Sequence, residues 1–248
     1  MSRSRLGLLA LGESPRRDVE ETLSTVLGRT VPVIQAGALD GLAPGEREQL
    51  MAPGEKGIET SLADGTPIEV SKQRLVPLLR AAVRTRLASA RAVVLLCSGA
   101  FPELRACCPE VLQPAGLVRD VVRASAGASV LGVLGPESDV PEMRASWGAC
   151  ATRVIPVACS PYGGADAVVA AAGEAVERGA ELLLLDCIGF TEAQRRAVGG
   201  ATGVPTLAPM SLVARLVPDL VPALDGSWHE HRARAAVACG SAPARGER

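Results

Sequence analysis

Short aliphatic runs alternate along the chain with longer stretches in which apolar residues return every third or fourth position. The first pattern marks strands buried on both faces, the second amphipathic helices. "LGLLALG" (6–12) predicts a first strand, and "SPRRDVEETLSTVL" a helix behind it with Ser14 as N-cap and Pro15 in the first turn. "VPVIQAGAL" (31–39) predicts a second strand, and "GIETSLADGTPIEVS" (57–71) a hairpin turning at Asp64-Gly65. "KQRLVPLLRAAVRTRLA" predicts an amphipathic helix kinked at Pro77, and "AVVLLCS" (92–98) a buried strand. The theme then repeats. "SVLGVLGP" (129–136), "ATRVIPVACS" (151–160), the leucines of "ELLLLDCIGF" (181–190) and "VPTLAP" predict strands. "EMRASWGAC", "GADAVVAAAGEAVERGA" (closed by Gly179), "TEAQRRAV" and "MSLVARLVPDLV" predict helices.

Strands alternating with helices of this length imply an α/β fold with parallel sheets covered on both sides. The two similar series predict two pseudo-symmetric Rossmann-like lobes with a ligand cleft between them. Expected boundaries are 1–124 for the N-terminal lobe, 125–210 for the second, 211–223 for a C-terminal helix packing back on the lobes, and 224–248 for a flexible tail.

Composition narrows the function. Hydrophobic residues make up 48% of 248 residues, enough for a sizeable core, which must be aliphatic because Phe, Trp and Tyr number two, two and one. Net charge is −1 and no long basic block occurs, so the electrostatic footprint of a nucleic-acid binder is missing. No apolar run approaches the roughly eighteen residues of a membrane span. The N-terminal run is too short for a signal peptide, and a cytoplasmic protein is expected. Seven cysteines (97, 107, 108, 150, 159, 187 and 239) form no C-x-x-C pair, and the two histidines lie in the "WHEH" stretch of the tail. Neither a disulfide framework nor a metal site is expected.

The chemistry concentrates where strands should end. In open α/β sheets ligands bind outside the carboxyl ends of the strands. Two such ends carry a cysteine with a glycine two residues on: Cys97-Ser98-Gly99 and Cys187-Ile188-Gly189, one in each expected lobe and 90 residues apart. Two thiols facing each other across a cleft suit proton transfer at a carbon beside a carboxylate. One thiolate takes the proton from one face and the opposite thiol returns one to the other. An ordinary thiol titrates near ~8.5, and helix N-termini are expected to lower both thiols while their N–H groups hold the substrate's carboxylate. Expected substrate contacts are Ser14, Arg16, Ser98, Gly99, Gly135, Gly189 and Phe190. Gly189 would let backbone approach the ligand, and Arg16 or Arg17 would meet an anion, although in an Arg-rich chain a solvated helix face accounts for both equally well. Asp186 should point away from Cys187 and close the turn. Cys107, Cys108, Cys150 and Cys159 are read as packing. Without G-x-G-x-x-G after the first strand, a nicotinamide enzyme is poorly supported, and no cofactor is expected.

In combination, "LGLLALGESPRRDV", "APGEKGIETSLADGTPIEVS" and "LLLLDCIGFTEAQRR" resemble the AroM family over about residues 5–222. That family is similar, more distantly, to the aspartate/glutamate racemase superfamily, whose members have two pseudo-symmetric lobes about the site. The resemblance implies that Cys97 and Cys187 correspond to the superfamily's first and second cysteines. Racemases usually carry Cys-Asn-Thr at the first and Gly-Cys-Thr-His at the second; the Asn, Thr and His are absent here, which gives weight to chemistry needing one thiol. The expectation is a cofactor-independent racemase or isomerase acting on a small carboxylate or amino acid. The alternatives are a one-cysteine decarboxylase or cis–trans isomerase, and a non-catalytic carboxylate-binding protein of the same fold. The partners expected are the small anionic substrate and a second copy of the chain in a homodimer.

Overall fold

The computed structural model describes residues 5–50, 57–126 and 129–223. The tail from 224, with its "WHEH" stretch, lies outside them. The first half contributes β1 (Leu6–Ala10), α1 (Arg17–Leu27), β2 (Val33–Gly37), α2 (Pro44–Glu48), the hairpin β3 (Ile58–Ser61) and β4 (Pro67–Val70), α3 (Lys72–Thr85), β5 (Ala92–Leu96), α4 (Pro102–Cys107), β6 (Val111–Leu112) and α5 (Pro114–Ala126). The second contributes β7 (Val130–Gly135), α6 (Val140–Trp147), β8 (Arg153–Ala158), α7 (Ala165–Glu177), β9 (Leu182–Leu185), α8 (Glu192–Thr202), β10 (Thr206–Leu207) and α9 (Pro209–Ala223). No helix among the described residues is long and apolar enough to cross a membrane.

Two four-stranded parallel sheets result, in the orders β2-β1-β5-β6 and β8-β7-β9-β10. Strand for strand these are the same order. The central strands are covered on both faces, which is why they read as unbroken aliphatic runs. Leu9, Val93 and Leu95 face α3, while Leu6, Leu8, Val94 and Leu96 face α1 and α9. In the second sheet Leu134, Leu183 and Leu185 pack with α7 and α8, and Leu131, Val133, Leu182 and Leu184 pack with α5 and α6.

Two helices are exchanged between the halves. Helix α5 follows the last strand of the first sheet, yet Val118 and Val122 pack on the second. Helix α9 follows the last strand of the second sheet, yet Met210, Val213, Ala214 and Val217 pack on the first. Each sheet therefore owes part of its apolar cover to the other half of the chain.

The structure departs from the sequence-based elements in several places. Ser14 does not cap α1, which starts at Arg17 with no side-chain cap. Its N–H and hydroxyl both donate to the Asp40 carboxylate at 2.8 Å, which also accepts the Gly37 N–H at 2.8 Å and pairs with Arg86 at 3.0 Å. An acceptor with that many donors outcompetes the helix end for the serine. Helix α3 runs through Pro77 without interruption. Helix α8 continues past "TEAQRRAV" to Thr202, started by the Thr191–Gln194 capping box and stopped by Gly203 at φ +68°. Helix α4, strand β6 and helix α5 lie in a stretch for which no element is predicted from the sequence.

Glu192 fastens the C-terminal helices. Its side chain is fully buried and accepts from Arg195 (2.7 and 2.8 Å), Arg196 (2.9 Å) and Arg215 of α9 (3.1 Å), while its N–H donates to Thr22 of α1 at 3.4 Å. Burial alone would raise its pKa, but the bonds from Arg195 and Arg196 outweigh it and hold the group down to about 2. A carboxyl depressed from about 4.5 to about 2 stabilises the fold fully above the higher value, and that contribution is lost as pH falls from one to the other. Glu192→Gln is expected to lower the unfolding free energy at pH 7 by about 2–3 kcal/mol. In urea melts the gap should close between pH 4.5 and 2; a variant as stable as the parent at pH 7 would contradict this role.

Candidate active site

The carboxyl ends of the two sheets meet. Each sheet reverses its direction of winding between its first and third strands, the place where open α/β sheets leave a crevice. Leu6 of β1 pairs with Ala92 of β5, and Leu131 of β7 pairs with Leu182 of β9. Five residues beyond Ala92 is Cys97, and five beyond Leu182 is Cys187. The two thiols thus occupy equivalent positions in the two sheets. They are also close in space, since charge on Cys97 is felt at Cys187. The Ser98 hydroxyl reaches the Asp186 carbonyl across the same gap, at a long 3.5 Å.

The repeated Cys-x-Gly has a local reason. The Gly99 N–H donates to Cys97 Sγ at 3.2 Å, and the Gly189 amide acts on Cys187 in the sense that lowers its pKa. In each loop the amide two residues on from the cysteine favours the thiolate. Between Cys187 and Gly189, Ile188 is 6% exposed and packs into the first sheet's cluster with α1 and α9. Burying it contributes about 2 kcal/mol and fixes the second lobe's thiol loop against the first lobe.

Tyr162, the sole tyrosine, covers the site from the loop after β8. The residue is 58% exposed, but its phenol lies near Ser61 of the hairpin, Arg16 and Cys187. Gln194 clamps this loop, donating to the Pro161 and Gly163 carbonyls at 3.0 and 3.1 Å. A Cβ on Gly189 would sit 3.2 Å from Pro161 and 3.4 Å from the Tyr162 ring, so the glycine lets the loop close down.

Two cations stand beside the thiols. Arg16 is buried, with its fork on Asp18 at 3.0 and 2.6 Å, and its charge is felt at Cys187. Lys72 lies 4.7 Å over the Phe101 ring, bonds the Ala100 carbonyl, and is felt at Cys97. Neither cation offsets burial. Burial pushes Cys97 up to about 11 and Cys187 up to about 12, with Asp186 adding to both. The expected lowering by helix N-termini is corrected: the helices after the thiols begin only at Pro102 and Glu192, too far along to act on them. Asp186 itself is raised to about 6 by burial, against a 2.6 Å hydrogen bond from the Trp147 indole. Its tie is thus to α6, whose Trp147 also carries Arg119 at 5.0 Å from the ring, and not to the turn after β9.

The expected contact residues separate into two groups. Arg16, Ser98, Gly99 and Gly189 come together with Cys97 and Cys187. Ser14 is committed to Asp40. Gly135 is backed by Met143 and the Asp186 carbonyl, within 2.8 and 3.3 Å of any Cβ placed there. Phe190 is 1% exposed in the second sheet's core. Tyr162, Ser61 and Lys72 were not singled out by the sequence. The rarity of tyrosine and lysine in this chain was the available signal. Among the described residues no group of three or more His, Cys, Asp or Glu side chains could hold a metal. Open grooves of about 540 Å³ along Pro15, Arg17 and Glu21 and about 220 Å³ along Arg105, Glu110 and Leu112 lie apart from the thiols.

Two parallel sheets of one strand order, facing each other through matched loops, define a two-lobed α/β protein with its cleft between the lobes. Solved structures share this fold. Unliganded arylmalonate decarboxylase matches at TM-score 0.53 and 16% identity, over 90% of this chain and 93% of that one. The RacE1 glutamate racemase from Bacillus anthracis matches at TM-score 0.53 and 12% identity, over 90% and 83%. At these identities the likeness is one of fold alone. The profile described as AroM protein matches residues 6–221, and the chain belongs to the AroM family. No curated protein matches it.

Asp186→Asn keeps an acceptor for Trp147 and removes a charge that raises both thiols. The expected result is severalfold faster iodoacetamide alkylation of Cys187 and Cys97 at pH 8, read by peptide mass spectrometry. Because Asp186 titrates higher folded than unfolded, its ionisation destabilises the fold as pH rises from 3.8 through about 6. The variant should therefore be more stable above pH 6, by on the order of 2 kcal/mol. Unchanged alkylation would separate Asp186 from the thiols.

Proposed function

We propose that this protein is a cofactor-independent enzyme acting on a small carboxylate or amino acid, with Cys187 and Cys97 exchanging protons with the carbon beside the carboxyl group. The observation that carries this reading is the equivalence of the two thiols, each at a strand end, each followed two residues on by a glycine whose amide favours the thiolate, and near enough for charge on one to act on the other. Lys72 beside Cys97 supplies positive charge for an anionic substrate, and Arg16, its fork on Asp18, stands beside Cys187. Tyr162 closes over the bound molecule and keeps water out.

The protonation states favour one order of events. With thiols raised to about 11 and about 12, fewer than about one in ten thousand is ionised at pH 7. The resting site therefore holds two proton donors. A substrate that generates its own carbanion suits it directly. When a carboxylate leaves as CO2, the bonding pair stays on the adjacent carbon, Cys187 protonates it, and the resulting thiolate takes a proton from water. Racemisation or isomerisation needs one thiol ionised first, which the cations assist once substrate has displaced water. The rival reading, a non-catalytic carboxylate binder, draws on the same protonated resting state.

Incubation in D2O with a panel of amino acids, dicarboxylates and malonate-type diacids, followed by NMR, distinguishes these. Loss of turnover in both Cys187→Ser and Cys97→Ser marks two-thiol chemistry. Loss only in Cys187→Ser marks the proton-donor route, with kcat down by about 10²–10⁴. Thermal stabilisation by a panel member without turnover or α-deuteration would overturn the enzyme reading. For any substrate found, Tyr162→Ala should raise KM and Tyr162→Phe should largely restore it; equal KM in all three proteins would remove Tyr162 from the site.

A further inference from the structure

Away from the cleft, a second pair of sulfurs stands together. Cys107 ends α4 and Cys108 begins the loop to β6. Their Sγ atoms lie 3.9 Å apart, and neither is in a disulfide. Cys107 is half-buried and open to solvent on one side, whereas Cys108 is 1% exposed. The backbone beneath them is tied on both sides: the Cys108 N–H donates to the Leu104 carbonyl at 2.7 Å, and the Val111 N–H to the Cys108 carbonyl at 3.1 Å.

A direct S–S bond does not suit this geometry. Adjacent Cα atoms are about 3.8 Å apart, below the ~4.4 Å lower end of the range usual for disulfides. A bridge through a third atom does suit it. With metal–thiolate bonds of about 2.3 Å, sulfurs at this separation subtend about 115° at the metal, close to the tetrahedral arrangement that Zn2+ and its d10 relatives adopt. We propose that Cys107 and Cys108 form a two-thiolate chelating site for a soft d10 cation of the zinc–cadmium class. With no third ligating side chain clustered there among the described residues, the remaining positions go to water or an external ligand. Such a site is open and exchangeable, unlike a closed structural zinc centre.

The test uses the full-length chain and Cd2+ alone. Thiolate-to-cadmium charge transfer in the ultraviolet gives the binding curve. Iodoacetamide footprinting with peptide mass spectrometry gives the residues protected. One Cd2+ per chain is expected, shielding Cys107 and Cys108. Cys107→Ser should weaken binding at this site at least tenfold, while the Cys97→Ser/Cys187→Ser double variant and Cys239→Ser should leave it unchanged. The footprint of the parent protein needs no variant to fold. Protection confined to Cys97 and Cys187, or to Cys239, would overturn the assignment, as would a charge-transfer band indifferent to Cys107→Ser or no band at all.

Discussion

The register of the two central strand pairs, Leu6 opposite Ala92 and Leu131 opposite Leu182, is the constraint on which the cleft depends. A slip of one residue in either sheet would swing a thiol to the opposite face. Hydrophobicity alone does not forbid such a slip, because both faces of these strands are apolar. Glycine supplies the missing specification. A Cβ on Gly7 would come within 2.9 Å of Ala90, and one on Gly132 within 2.7 Å of Leu183 and 3.0 Å of Ala180. Each sheet has a slot beside its central strands that only a residue without a side chain can enter. Sliding the strand would drive Leu6, Leu8 or Val133 into it.

From that frame the burial of the thiols follows. The exchanged helices α5 and α9 bind each half of the chain to the other's sheet, and Ile188 threads the Cys187 loop into the first sheet's core. Rigid opening of the two lobes would have to expose these apolar faces together, at about 25 cal/mol for each Å² uncovered. The hairpin side of the cleft is packed as closely. A Cβ on Gly12 would fall 2.0 Å from the Ser61 carbonyl, so hairpin and first-strand loop meet backbone to backbone. The Tyr162 loop is the part of the surround held chiefly by side-chain hydrogen bonds from Gln194.

Much of the frame was legible in the sequence because it rests on local signals. Aliphatic runs marked the central strands, Asp64-Gly65 marked the hairpin, and Gly179 ended α7 at φ +94°. The Cys-x-Gly repeat pointed to equivalent strand ends. What stayed hidden depends on partners distant in the chain. Nothing local shows that Ser14 will spend its hydroxyl on Asp40, or that the Asp186 carboxylate will hold Trp147 from 39 residues upstream. Glu192 reads as an ordinary first-turn acid until Arg215 of α9 folds over it. Strand β6 has two residues, too few for any period to show, and with it went the helices on either side. Pro114 at the start of α5 and the Val118–Val122 spacing were usable helix signals, but not the news that α5 would cover the other sheet.

The two halves share a frame and differ in what it carries, and the differences make the thiols unequal. By register, Leu96 stands where the second sheet has Asp186, and Ser98 where it has Ile188. The second loop is therefore anchored by an apolar plug, whereas the first reaches across the gap through the long Ser98–Asp186 hydrogen bond. Their cations differ as well. Arg16 spends its fork on Asp18, so the field it presents to Cys187 is that of a neutralised pair. Lys72 is held by a neutral carbonyl and a ring face, with no carboxylate partner among the described residues, and acts to lower Cys97. Under the proposed chemistry, Cys97 is then the thiol better placed to ionise when substrate displaces water, and Cys187 the one better placed to keep and deliver its proton. A two-thiol reaction would run with a preferred direction, and a one-thiol reaction would fall to Cys187.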